Sequence, residues 1–106
     1  MAKYLVQANY TSDGAKGLQR DGGSGRKKAV DAAVKSVGGK LDAMYFCIGK
    51  YDVMLIVDAP DAASAVAVGI AASAGGGAHT TTTPLLTVEE MDEACRKTVK
   101  YRAPGA

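Results

Sequence analysis

The chain has 106 residues, the length of one domain. Its formal charge of +2 is too near neutral to imply nucleic acid, an anionic membrane or an acidic partner. Hydrophobic residues make up 47%, but alanine supplies much of that, Trp is absent and Phe46 is the one phenylalanine. Small side chains bury little area each, at about 25 cal/mol per Å², so a domain of this size and composition is expected to gain stability by self-association.

Residues 3–10 alternate as a strand, with Tyr4, Val6, Ala8 and Tyr10 on one face and Leu5, Gln7 and Asn9 on the other. A glycine-rich polar stretch follows. Ser12 is a candidate cap for a short helix running to Gln19 and stopped by Gly22-Gly23. A longer helix capped by Ser24 puts Val30, Val34 and Val37 on one face and ends at Gly38-Gly39. Residues 41–48 and 52–57 read as two strands joined at Gly49-Lys50, hence an antiparallel hairpin. Pro60 and Asp61 open a second helix whose inner stripe is predicted as Ala62, Val66, Ile70 and Ala74, with Gly75-Gly76-Gly77 as its stop. The threonine-rich residues 78–83 form a fourth strand, ended by Pro84. Thr87 and Glu90 have capping-box spacing for a last helix, acidic at its start and basic at its end.

The order is βαββαβ with an added C-terminal helix: a ferredoxin-like α+β domain over residues 1–106, with two helices on one face of a four-stranded antiparallel sheet. The third strand, Val53-Met54-Leu55-Ile56-Val57, is apolar on both faces, so both must be covered. The helices cover one. Either the C-terminal helix or a second subunit is expected on the other.

Asn9-Tyr10-Thr11 with Gly14, the turn Gly49-Lys50-Tyr51-Asp52 and the threonine run before Pro84 together resemble the GYD-domain family, over nearly the whole chain. That family is grouped with ferredoxin-like proteins that pair face to face as dimeric α/β barrels. The resemblance therefore implies a sheet-mediated dimer and assigns no reaction.

The candidate chemistry is sparse. Gly22-Gly23-Ser24-Gly25 leading to Arg26, Lys27 and Lys28 suggests an anion site at a helix start, although the spacing is not that of a phosphate loop. Tyr51-Asp52 admits a proton-handling pair, or a turn in which Asp52 bonds local amides and Tyr51 packs. His79, the one histidine, has no companion at metal-ligand spacing, and no cofactor is expected. Cys47 and Cys95 read as reduced core thiols. With no signal-peptide core near residues 4–9 and no sufficiently apolar run at 62–78, a cytoplasmic protein off the membrane is expected. The third strand lacks the aromatics of RNA-recognition domains, which excludes nucleic acid.

These residues lead to a homodimer or higher oligomer that binds a small organic molecule between sheet and helices, near Tyr10, Arg26, Tyr51, Asp52 and His79. The rivals are a cofactor-independent oxygenase or isomerase, and a ligand-free assembly or regulatory protein.

Overall fold

A computed structural model describes residues 1–47 and 49–106. Strand β1 (Ala2–Tyr10) leads into α1 (Ser12–Ser36), then β2 (Lys40–Phe46), β3 (Val53–Ala59), α2 (Ala62–Ala74), β4 (Ala78–Leu85) and α3 (Val88–Arg96). The strands form one antiparallel sheet in the order β2-β3-β1-β4. This is the expected βαββαβ topology with a C-terminal helix.

The alternation in β1 and β3 sets the two faces. Tyr4, Val6, Ala8, Val53, Leu55, Val57 and Ala59 are buried beneath the helices. In register beside them, Leu5, Gln7, Met54 and Ile56 occupy the opposite face, half-buried. Helices α1 and α2 add only Val34, Ala65 and Gly69 as fully buried positions. The sheet thus supplies most of the core.

The two-helix expectation holds in outline: α1 is two helical segments that meet at a break at Gly22, where the first was expected to stop. Thr11, not Ser12, caps it, and its hydroxyl accepts from the Gly14 amide at 3.1 Å. The first segment runs past Gln19 to Asp21, and the second starts at Gly23, on the other side of the non-helical Gly22. Its φ of 70° there is readily adopted by glycine and rarely by other residues. Ser24 is therefore inside a helix and caps nothing. Beyond the kink, Arg26, Val30, Val34 and Val37 recur at helical spacing on the less exposed face.

Helix α2 corrects a second expectation. Asp61 caps it by accepting from the Ser64 amide at 2.7 Å. That bond holds the Asp61 carboxyl below the usual aspartate range. The inner stripe is Ala65, Val68, Gly69 and Ala72, while Val66 and Ile70 are exposed. The stripe lies one residue, about 100°, away from the predicted one. The cause is close approach: a Cβ on Gly69 would stand 2.6 Å from the Thr80 hydroxyl oxygen. Only the smallest side chains fit between α2 and β4, so the larger ones turn outward.

The start of α1 and the end of α2 are joined just as closely. The Thr11 amide donates to the Gly77 carbonyl at 3.1 Å, and its hydroxyl donates to the Gly76 carbonyl at 2.6 Å. A Cβ on Gly14 would overlap that Gly77 carbonyl. Thr11 and Gly14, two of the signature residues, thus serve this contact with the glycine triplet.

Strand β4 runs through Pro84, opposite Tyr4, to Leu85, two residues past the predicted end. Proline is tolerated there because β4 is an edge strand. At the other edge, β2 carries a register shift between Leu41 and Ala43. Nearby, the Lys3 ammonium donates to both Asp42 and Asp58, the latter at 2.9 Å. These bonds, the one to Asp42 first, raise the Lys3 pKa, and the Lys3 bond lowers that of Asp42.

Helix α3 has the predicted capping box: Thr87 and Glu90 exchange side-chain-to-amide bonds of 3.0 and 3.1 Å. None of its residues is buried, so α3 does not cover the open sheet face. Cys95 is accordingly exposed and Cys47 half-buried, both as free thiols, so the expectation of two core cysteines fails for Cys95. The radius of gyration is 16.8 Å, against about 13 Å for a compact chain of this length. The exposed α3 and the tail beyond it account for the excess.

Replacing Gly14 with alanine should destabilise the fold by about 1–3 kcal/mol or more, because the new methyl meets backbone that cannot rotate away. Urea melts of Gly14→Ala beside the parent measure this. A neutral result would mean that the α1–α2 junction yields easily.

Candidate functional site

The sheet and the two helices do not close fully on each other. A cleft of about 180 Å³ runs between them. Its floor includes Val6, Ala8 and Leu55, and its helical walls include Ala29, Ala33 and Ala72. Small side chains explain it: α2 is held close to the sheet at Gly69 and α1 close to Gly77 at Gly14, and the alanines facing the cleft leave space unfilled. Tyr10, Thr80 and Arg26 are its polar lining, and among the described residues Arg26 is the one charged group there.

Tyr10 and Arg26 occupy a junction. Both line the cleft, and both also line an adjoining recess bounded by Gly14, Gly17 and Gly77. Arg26 reaches this place because α1 is helical on both sides of Gly22. It begins the inner stripe that continues through Val30, while Lys27 and Lys28 beside it are exposed. Among the described residues its ion pair is with Asp21, at 4.0 Å, outside hydrogen-bonding range. Of the expected anion site, the helix start stands, just past the break at Gly22, but residues 23–25 are helical and not a loop, and Arg26 alone of the three cations turns toward the cleft.

Asp52 has a different task from the one the sequence suggested. Its carboxylate accepts from the Tyr10 amide at 2.8 Å, its own amide donates to the Ala8 carbonyl at 2.9 Å, and its carbonyl accepts from the Cys47 amide at 2.7 Å. It ties the end of β1 to the β2–β3 connection, a long-range link in place of the local turn bonds expected. It lines a third recess, on the Phe46 and Cys47 side of Tyr10. Tyr51 is half-buried, with the Lys50 ammonium 5.8 Å from its ring centroid. His79 is exposed opposite Asn9, on the sheet face away from the helices. Ile48, expected at the end of β2, lies outside the described residues.

Of the five candidate residues, Tyr10 and Arg26 thus meet at the cleft. Asp52 supports Tyr10 from behind, and Tyr51 and His79 are not among the residues lining the cleft. The lining residues Ala29, Ala33, Val68 and Ala72 were not singled out from sequence. Their one advance signal is the run of small residues in α2, and its phase was assigned to the larger side chains instead. Among the described residues no group of three or more His, Cys, Asp or Glu is placed to hold a metal, and no helix is long and apolar enough to cross a membrane.

Sheet order, helix placement and cleft define a ferredoxin-like α+β domain with an apolar pocket between its layers. The family model for the GYD domain matches residues 4–95, and the chain belongs to that family. Among solved structures it is similar to the one described as the crystal structure of MtbAldR, with a TM-score of 0.52 and 19% identity. That alignment covers 97% of this chain and 58% of the other, so this chain spans little more than half of that protein's length. At this identity the likeness concerns the fold alone. No curated protein matches the chain.

Substitutions at the signature pair separate support from chemistry. Asp52→Ala should cost about 1–2 kcal/mol, since the Tyr10 amide loses its acceptor. Asp52→Asn should be milder, because its side-chain oxygen still accepts, and Tyr51→Phe should melt like the parent. Denaturant melts of the three check this. An Asp52→Ala protein as stable as the parent would mean that the bond to Tyr10 does not support the fold.

Proposed function

We propose that this chain is a cytoplasmic homo-oligomeric binding domain that takes up a small organic molecule between its sheet and helices. The observation that carries the reading is the apolar cleft with Tyr10 and Arg26 at one junction. A void in so small a core leaves its lining without contacts and weakens the fold. An occupant restores those contacts. The catalytic reading has less support: Asp52 is engaged by the Tyr10 amide, and none of Tyr51, Asp52 and His79 lines the cleft. A ligand-free assembly role would go with a closed core.

Two kinds of exposed apolar surface support self-association. On the open sheet face Leu5, Met54 and Ile56 form an apolar centre, flanked at one end by Lys3 and Asp58 and elsewhere by Gln7 and the threonines of β4. An apolar centre with a polar rim is the usual anatomy of a protein interface. On α3, Val88, Met91 and Cys95 share a stripe at helical spacing, and Val88 is 75% exposed. A second copy stacked on the sheet covers the first surface, and an arm standing off the body suits a contact with that copy.

For the cleft, benzene as a neutral apolar probe should bind saturably and raise the melting temperature. Ala33→Leu or Ala72→Leu, which fill the space, should remove that response. Native mass spectrometry of freshly purified protein should show a retained small molecule. A protein that carries none and takes up no benzene ends the binding reading.

For the assembly, light scattering on a sizing column at micromolar protein should give a dimer or larger species. Met54→Asp should weaken it by several kcal/mol, because the charge is buried unpaired at the interface. The same change at Leu55 should unfold the protein, since Leu55 lies beneath the helices. A stable parent monomer would overturn the proposal.

A further inference from the structure

We infer that the occupant of the cleft is a small monocarboxylate with a compact apolar body, its carboxylate on Arg26 beside Tyr10 and its body against Val6, Ala33 and Leu55. This rests on the reading of the cleft as a binding site and adds the chemical class.

Size sets the first limit. Pockets for drug-sized ligands span about 300–1,000 Å³, and this cleft is about 180 Å³. A cavity of about 150 Å³ lined by Leu, Ile and Phe takes benzene. A body that fits within the cleft is therefore a single ring or a branched chain of about six to eight carbons.

Charge sets the second. Arg26 stands first on the stripe that continues through Val30, Val34 and Val37, where an apolar residue would otherwise be expected. Its side chain is 34% exposed, and Asp21, itself largely in water, stays 4.0 Å away. A guanidinium on an apolar wall costs free energy unless a partner engages it, and its planar fork matches a carboxylate's two oxygens. Arg26 is the one charge lining the cleft among the described residues, so one anionic group is matched there and a second would face apolar wall. Asp52, the nearby acid, lines the recess on the other side of Tyr10, with its carboxylate turned to the Tyr10 amide. The opening shared with the Gly14 and Gly77 recess leaves the head group near solvent, with the body between sheet and helices.

The test uses the full chain and defined probes. Calorimetric titrations compare phenylacetate with its isostere phenylacetamide, with benzene, which lacks the head group, and with acetate, which lacks the body. Phenylacetate should bind about tenfold or more tighter than phenylacetamide, the usual gain from a hydrogen bond to a charged group. Acetate should be weaker still. Arg26→Met, checked to melt like the parent without ligand, should bring phenylacetate and phenylacetamide close to parity, and Arg26→Lys should keep part of the difference. Ala33→Leu should weaken phenylacetate and benzene alike. If phenylacetamide and benzene bind as tightly as phenylacetate, or if Arg26→Met leaves the preference intact, the carboxylate assignment falls and the binding cleft stands. Acetate as tight as phenylacetate and indifferent to Ala33→Leu would mean a surface anion contact, which also overturns it. If no probe binds, benzene included, the cleft reading itself fails.

Discussion

The structure depends on how closely two helices approach the sheet and each other. At Gly14 and Gly69 there is no space for a methyl group, and at Gly14 the obstacle is backbone. Such contacts fix distances, because a carbonyl oxygen cannot be repacked as a leucine can. With the helix ends set by Thr11, Gly14 and Gly77, the intervening turns must span the sheet with whatever side chains they carry. On α2 they carry mostly alanine, and on α1 largely glycine, alanine and polar residues. A cleft is the outcome of rigid close contacts at the ends and short side chains between them.

The same constraint orders the signature residues. Thr11 and Gly14 belong to the α1–α2 junction, and Asp52 fastens the chain before β3 to Ala8 and Tyr10. All three converge on the end of β1. Tyr10, the last residue of that strand, lines the cleft and both neighbouring recesses. A motif with no visible reaction chemistry can thus serve position: it fixes one tyrosine, while the break at Gly22, outside the motif, sets where one arginine stands relative to it.

What was legible in the sequence follows from how local each cause is. The capping box of α3 needs only Thr87 and Glu90, four residues of one helix, and it forms as read. The faces of β1 and β3 follow from a period of two and likewise appear. The phase of α2 is not local. Val66 and Ile70 look like its core side, and only the nearness of β4 at Gly69 makes the small residues the inner ones. Gly22, by contrast, breaks α1 where the sequence put the stop, because its positive φ suits glycine. Arg26 was placed near a site from its glycine-rich approach, yet it gets there as part of a helical stripe. The partner of Asp52 is 42 residues away, beyond the reach of turn chemistry.

The edges of the sheet have a consequence for how copies can meet. Unprotected edge strands invite further strands, and that growth has no natural end. Here β4 carries Pro84, which lacks an amide hydrogen, and β2 is interrupted by its irregularity between Leu41 and Ala43. Lateral addition of another chain would stall at both borders. The apolar centre of the open face has no such guard, so growth is steered from edgewise extension into stacking. Stacking uses each face once and stops, which leaves an alanine-rich chain with many exposed apolar side chains a finite particle as its outlet instead of a fibre.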